Sequence, residues 1–399
     1  MSTITEEQVR ERTQAVLDEV GVDAGEVEFR SALWDAGLAM VQYPEGKGGL
    51  GAPPKLNGVV EDTIRQAGRG YHPLMVNVIG IGMGLPTVLT YGSDEHHDKH
   101  LKRIFTGEDI WCQMFSEPTH GSDVAGLSSR AVRDGDEWIV NGQKVWTSGA
   151  HVSRYGMLLV RTDPDVPKHK GLSYFILDME SEGVEIRPLY QITGEAEFNE
   201  VFFTDVRVPH SNLLGDVGDG CRVATTTLMN ERVALGGSTA PRGSGTIASL
   251  VDLWAKRGPE LPEAEREIMR DRVTQLWIEA EVGRLTTIRA RSNAATGNPG
   301  PEGSTGKLAS AELNQRIWNT CMDLLGTEGM IHEAGYPLNR AGERGRADWG
   351  LSKNFLRSQA NTIEGGTSDI MRSILGERVL GLPGDVRVDK DVAWTEIPK

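Results

Sequence analysis

The sequence predicts an α+β fold in which a β domain stands between two helical ones. Apolar residues recur at three- and four-residue intervals from about residue 5 to 107 and again from Asp219 onward, whereas between about 108 and 214 the period falls to two. That middle stretch also contains DGDEWIVNGQKVW, whose β-branched and aromatic residues are flanked by Asp-Gly and Asn-Gly, a hairpin signal. At 399 residues the chain is longer than one hydrophobic core supports. We expect domains over 1–107, 108–218 and 219–399.

The elements follow in order. EEQVRERTQAVLDEV and LNGVVEDTIRQAG carry helical stripes, separated by breaks such as YPEGKGGLGAPP (Tyr43 to Pro54). From Cys112 to Gly149, strands adjoin two hydroxyl- and glycine-rich loops, one with a tryptophan, a composition better suited to a flat ligand than to a core. RYGMLLVRT, SYFILDM and VEIRPL continue the β alternation. Helices are then expected over Cys221–Gly236, Glu263–Asn293, Lys307–Leu325 and Ser352–Leu382, with a Gly/Pro/Ser-rich loop from Thr296 to Gly306. Thr367-Ser368-Asp369 is a good N-cap for IMRSILGERVL, and LPEAEREIMRDR reads as a solvated helix face.

Composition excludes several classes. A formal net charge of −15 disfavours a nucleic-acid surface, although a local basic cleft could still hold a polyanion. Cys112, Cys221 and Cys321 are few, odd in number and widely spaced, which fits reduced thiols and forms no metal-ligand spacing. There is no run of about 18 apolar residues to span a membrane. The polar start MSTITEEQVRERTQ lacks signal-peptide features, so a cytoplasmic location is expected.

Five segments stand at characteristic spacing: SEPTHGSD (Ser116 to Asp123), NGQKVWTSG (Asn141 to Gly149), GLSYFILDM from Gly171, FNEVFFTDVRVP from Phe198, and TIEGGTSDIMRSILGERVLGLP (Thr362 to Pro383). In these the chain resembles the acyl-CoA dehydrogenase family of flavoproteins along nearly its whole length. The resemblance implies an N-terminal α-helical domain, a central β-barrel-like domain and a C-terminal four-helix bundle, with FAD as cofactor. It implies that Phe115, Ser116, Gly121, Ser122, Trp146 and Ser148 hold the flavin. Ser116 would serve its pyrimidine side, Ser148 would lie near N5, Trp146 would pack on the ring, and Ser122 would lie by the pyrophosphate or thioester. Gly326, Gly329 and Thr367 complete the cofactor set, and Ser122, Arg232, Gly365 and Gly366 the substrate set.

The implied reaction is α,β-dehydrogenation of an acyl-CoA to the trans-2-enoyl-CoA, with electrons passed to an electron-transfer flavoprotein. It needs a carboxylate at the α-carbon and donors at the thioester oxygen. In one branch of the family the base precedes a Gly-Thr in the closing signature, a position filled here by Gly365, with Glu364 one residue earlier. In the isovaleryl- and long-chain-type branches it lies in a Glu-Arg pair on a helix, matched here by Glu231-Arg232. Glu231 is therefore the expected base and Glu364 the fallback, while the Gly365 amide is expected to serve the thioester oxygen.

Plainer readings stand beside these. Ser116 and Ser148 could cap turns, Trp146 could fill a core, and Glu231 with Arg232 could be a surface ion pair. PKHKG (Pro167 to Gly171) reads as a solvated turn rather than a CoA-phosphate site, and Gly46–Gly51 could border the substrate mouth. His120 replaces a small residue with no evident purpose.

Two departures bear on assembly. The family's Arg-x-x-Phe-Gly element is absent near Arg289 and Arg291, and LLGTEGM is a degenerate form of its Gly-rich segment. A homotetramer and a heterotetramer of unlike subunits are both expected outcomes. The alternatives to a dehydrogenase are a flavin oxidase or monooxygenase on the same fold, or a half-site partner subunit. Acyl chain length and branching are not legible here.

Overall fold

The computed structural model describes residues 4–235, 241–295, 300–331, 350–386 and 388–397, and of 231–235 and 294–295 the backbone alone. The chain forms two compact units: 1–187, 198–234 and 389–399 make the first, 188–197 and 235–388 the second.

The first unit opens with helices where the apolar stripes predict them. α1 (Glu6–Val20) begins on a capping box, Thr5 accepting from the Gln8 amide while the Gln8 side chain accepts from the Thr5 amide. α2 (Glu26–Asp35), α3 (Asn57–Gln66), α4 (Leu85–Tyr91), α5 (Asp94–His96) and α6 (Lys102–Thr106) follow. They bury Val9, Phe29, Leu33, Ile64, Leu85 and Phe105 in a core shared with Trp111 and Tyr174 of the sheet.

The sheet comprises β1 (Trp111–Met114), β2 (Arg130–Asp134), β3 (Glu137–Lys144), β4 (Tyr155–Arg161), β5 (Leu172–Asp178), β6 (Val184–Leu189), β7 (Phe198–Pro209) and β8 (Leu213–Leu214). Its order is β6-β7-β3-β2-β4-β5-β8, with β1 parallel on β4. The expected hairpin is β2–β3, where Asp134 pairs with Glu137 across Gly135 and Asp136. The second glycine dipeptide behaves differently. Asn141-Gly142 stays within β3 rather than turning, at a β-bulge where Asn141 faces both Thr204 and Asp205 of β7. Gly142 has φ 149°, and a Cβ there would lie 2.2 Å from Ser129 Oγ, so only glycine fits. Nor do β4 and β5 alternate: both are buried on both faces, because the N-terminal helices cover one side and a second core, with Trp138, Phe175 and Phe203, fills the other.

α7 (Gly220–Leu235) belongs to the first unit as far as Ala234. In the second unit, α8 (Thr246–Arg257), α9 (Glu263–Ala295), α10 (Glu302–Leu325) and α11 (Leu351–Ser358) share a core of Leu250, Leu276, Trp318, Cys321 and Phe355. This is the expected helical bundle, with two corrections. α10 begins at Glu302, so GSTG is helical rather than loop. The expected helix Ser352–Leu382 is broken: after α11 comes a 3₁₀ turn over Gln359–Thr362, then a loop, then α12 (Ser368–Ile374). Gly365 and Gly366, at φ 60° and 90°, cannot continue a right-handed helix, and the Thr367 hydroxyl caps the new one by accepting from the Ile370 amide at 3.1 Å. Among the described residues no helix is long and apolar enough to cross a membrane.

Candidate active site

Two loops are brought together where β1 and β3 end. The Val145 amide donates to the Ser116 carbonyl at 2.9 Å, so the chain after β1 runs beside the chain after β3. Phe115 is buried, Ser116 and Ser148 are half-buried, and Gly121 and Ser122 are exposed. Behind them lies a buried ion pair that sequence reasoning missed. Lys144 Nζ donates to Glu117 Oε1 at 2.8 Å and to the Phe115 carbonyl at 3.0 Å, while Glu117 accepts from the amides of Ser128 and Ser129 at 2.6 and 3.0 Å. Burial pushes the Lys144 ammonium down to about 8, against the pull of Glu117. Burial alone would raise the Glu117 carboxyl, but Lys144 and the serine donors hold it below the usual range. A lysine at an inward strand position, next to Trp138 and Val140 in the alternation, was the available signal.

Trp146 does not fill a core. It is 57% exposed, sits at φ 60° and meets only the edge of Phe198 among described aromatic rings, at 5.7 Å. A non-glycine residue held in the left-handed region is a mark of functional loops. Asn199 secures it, exchanging backbone bonds with Thr147 at 3.0 and 3.1 Å and donating its amide side chain to the Thr147 carbonyl. The Thr147 hydroxyl is fully buried and has no hydrogen-bond partner among the described residues. An orphaned polar atom, an indole with an open face and half-buried hydroxyls at Ser116 and Ser148 fit a planar, hydrogen-bonding cofactor such as the FAD isoalloxazine.

From this corner a chain of contacts leads to α7. The Phe115 ring meets Tyr174 of β5 edge-on at 5.7 Å, and the Tyr174 hydroxyl lies 3.1 Å from Thr227 Oγ1. Thr227 is 3.0 Å from Thr87, which donates to the Met83 carbonyl at 2.7 Å. Thr227 Oγ1 also lies 3.0 Å from the Val223 carbonyl, so its single proton serves either Val223 or Thr87, while Thr87 donates to Met83 and Thr227 accepts from Tyr174. Beside it, Tyr91 and Thr226 pair at 2.8 Å. α7 is thus fixed in rotation, and residue 231 follows Thr227 by one helical turn. The side chains of Glu231 and Arg232 lie outside the described residues.

The other expected residues belong to the second unit. Both Glu364 oxygens are held by Arg357, at 3.1 and 2.8 Å, and Oε1 also accepts from Asn361 at 2.7 Å, so three of the carboxylate's roughly four lone-pair sites are engaged and its charge is already matched by the guanidinium fork. Gly365 and Gly366 form the turn described above. Gly326, exposed at φ 57°, ends α10, and Gly329 is half-buried in the following 3₁₀ turn, where Glu328 is ion-paired to Arg257. Thr367 spends its hydroxyl on the cap of α12.

Two loose ends from the sequence also resolve. His120 packs over Gly126, where an added Cβ would meet its ring at 2.5 Å, and bonds Thr119 at 2.8 Å. PKHKG is no solvated turn at Lys168, which is buried and paired with Asp123 at 2.9 Å and Asp389 at 2.5 Å.

Comparison with known proteins fits this layout. Family models described as the acyl-CoA dehydrogenase N-terminal, middle and C-terminal domains match residues 2–108, 112–206 and 218–380. Acyl-CoA dehydrogenase FadE34 of Mycobacterium tuberculosis is 37% identical over 353 residues; the match covers 88% of this chain and 46% of FadE34, so the chain spans about half of that relative. Acyl-CoA dehydrogenase IpdE1 of the same organism is 36% identical, with 90% of this chain and 88% of IpdE1 covered. Among solved structures, the Tcur3481-Tcur3483 steroid ACAD superposes with a TM-score of 0.71 at 26% identity over 94% of each chain. The ChsE4-ChsE5 complex from Mycobacterium tuberculosis gives 0.68 at 26%, covering 96% of this chain and all of the other.

Proposed function

The chain belongs to the acyl-CoA dehydrogenase family, and from that premise we propose that it oxidises a steroid-type acyl-CoA to the trans-2-enoyl-CoA with Glu231 as the base. FAD-dependent acyl-CoA dehydrogenation is the activity its relatives support. Bound FAD supplies the acceptor for the hydride that leaves the β-carbon. Phe115, Ser116, Gly121, Ser122, Trp146 and Ser148 hold it on the sheet side, with Gly326, Gly329 and Thr367 as further contacts. Glu231 takes the α-proton, Arg232 and Ser122 bind substrate, and the turn of Gly365 and Gly366 offers the Gly365 amide to the thioester oxygen.

The observation that carries this reading is the hydroxyl chain from Tyr174 to Thr87, which locks α7 one turn before residue 231 against the strand that touches Phe115. The engagement of Glu364 by Arg357 supports the same choice of base. The likeness to a steroid ACAD supports the choice of a steroid-type substrate. Electrons pass to an electron-transfer flavoprotein, and a cytoplasmic location is supported by three free cysteines.

The test is direct. Glu231→Gln should purify yellow and bleach about 10²–10⁴-fold more slowly with an acyl-CoA, whereas Glu364→Gln should bleach at nearly the normal rate. Normal bleaching by Glu231→Gln removes the assignment.

We also propose an oligomer with one unlike subunit. The missing Arg-x-x-Phe-Gly element leaves the adenosine half of the FAD site short of a donor, and two of the solved relatives are complexes of two differently named chains. Exposed Ile278, Val282, Leu285 and Ile288 form an apolar stripe along α9 that a subunit would cover. Protein that retains substoichiometric FAD alone and a full complement when co-expressed with its partner is the expected result; full loading alone would point to a homotetramer.

A further inference from the structure

The C-terminal family match ends at residue 380, yet the chain beyond it is tied into the first unit. Trp394 is the centre of the attachment. Its indole N–H donates to the Gly126 carbonyl at 3.0 Å, the Arg161 guanidinium lies 4.4 Å over its ring, and its amide donates to the Val166 carbonyl at 3.0 Å. The Thr395 amide donates to the Pro164 carbonyl at 3.2 Å, and Ala393 bridges to Pro167. At the head of the segment, Asp389 shares the buried Lys168 ammonium with Asp123.

These anchors converge on one stretch. Arg161, beneath the indole, is itself buried and donates to the carbonyls of Ala125 at 2.6 Å, Leu127 at 3.2 Å and Lys168 at 3.3 Å. Asp123, Ala125, Gly126 and Leu127 are the root of the loop that carries Gly121 and Ser122, and His120 closes it from its other side by packing over Gly126. The loop's regular structure is limited to one 3₁₀ turn, Val124–Gly126, and the short Glu117–His120 bridge, and its start is held by the bonds of Glu117 to Lys144, Ser128 and Ser129. A loop so poor in regular structure is ordered by what it is fastened to. Fastening it during folding removes an ordering cost that ligand binding would otherwise bear.

We propose that residues 389–397 are a latch that holds the 117–127 loop in its binding conformation, with Trp394 as a positioning residue for FAD. This rests on reading the loop as part of the flavin site.

The test uses the full chain stripped of flavin, titrated with FAD, together with amide hydrogen exchange of the flavin-free protein. Trp394→Ala should raise the FAD Kd by about tenfold and speed exchange across 117–127 by about tenfold, because a locally opened loop both exchanges and binds less well. Trp394→Phe keeps a ring for Arg161 but loses the bond to Gly126, and should fall between. Should Trp394→Ala fail to fold, Asp389→Asn releases the head of the segment alone and should shift both readouts the same way. A folded Trp394→Ala protein with wild-type exchange over 117–127 and wild-type FAD affinity overturns the latch. Trp146→Ala and Ser148→Ala separate the two ideas. If they weaken FAD binding and Trp394→Ala does not, the latch fails and the flavin reading stands; if none of the three alters FAD affinity while Trp394→Ala loosens the loop, the flavin reading is what fails.

Discussion

Lys144 carries a charge where water does not reach, and its worth depends on one partner. Removing that partner leaves an ammonium buried without its anion, so Glu117→Gln should cost about 3–5 kcal/mol in urea unfolding at pH 7. The double variant Glu117→Gln/Lys144→Met should lose less than the sum of the two single changes, since no orphaned charge remains. The pH dependence has a definite sign. Glu117 is held below its unfolded value, so its contribution is present above about 4.5 and is lost as pH falls through its folded value. His100 acts in a nearby window. Its buried ring, set edge-on against Trp111 and Tyr155, is pushed by burial down to about 4. The unfolded chain takes up that proton near 6.5 and the folded chain does not, so stability is full above pH 6.5 and declines toward pH 4. The slope is at most about 1.4 kcal/mol per pH unit. His100→Gln should flatten the fall between pH 6.5 and 5, although His96, also lowered by burial, leaves some of it. His100 was not legible as buried, because a titratable side chain in a short window looks like surface, and Lys144 was marked only by its inward place in the alternation of β3.

At the scale of elements, local signals located helices and strands but not the interruptions within them. The Asp-Gly turn and the Thr367 cap were legible because the few residues that make them are contiguous. The need for glycine at 142 was not, since it comes from Ser129, which precedes β2 and meets Gly142 only on folding. Gly142→Ala should cost about 1–3 kcal/mol, read as a drop in urea midpoint at unchanged slope. The both-sides burial of β4 and β5 likewise depends on the helices packed against one face. Rotation of α7 is another element-scale property. Tyr174→Phe removes the donor at the head of the hydroxyl chain, for about 1 kcal/mol of stability. If that chain serves to aim residue 231, Tyr174→Phe should also slow flavin bleaching by acyl-CoA more than it changes acyl-CoA affinity. An unchanged bleaching rate would make the chain structural only.

For the whole molecule, the apolar stripe on α9 gives a test of assembly. Val282→Glu with Leu285→Lys should lower the mass measured by light scattering while the helical signal by circular dichroism is retained; an unchanged mass places the subunit contact elsewhere. The family, the order of helical, β and helical regions, and the two loops around Ser116 and Trp146 were determined by the sequence alone, because they are written in local periodicity and in short motifs, each contiguous and set in a fixed order along the chain. Tertiary structure alone decided that Glu364 is clasped by Arg357, that Lys144, Arg161 and Lys168 are buried and paired, and that residue 394 fastens a loop 268 positions earlier. The physical reason is that burial and pairing belong to groups the chain brings together only on folding, and no local pattern records which distant partner a polar side chain will meet.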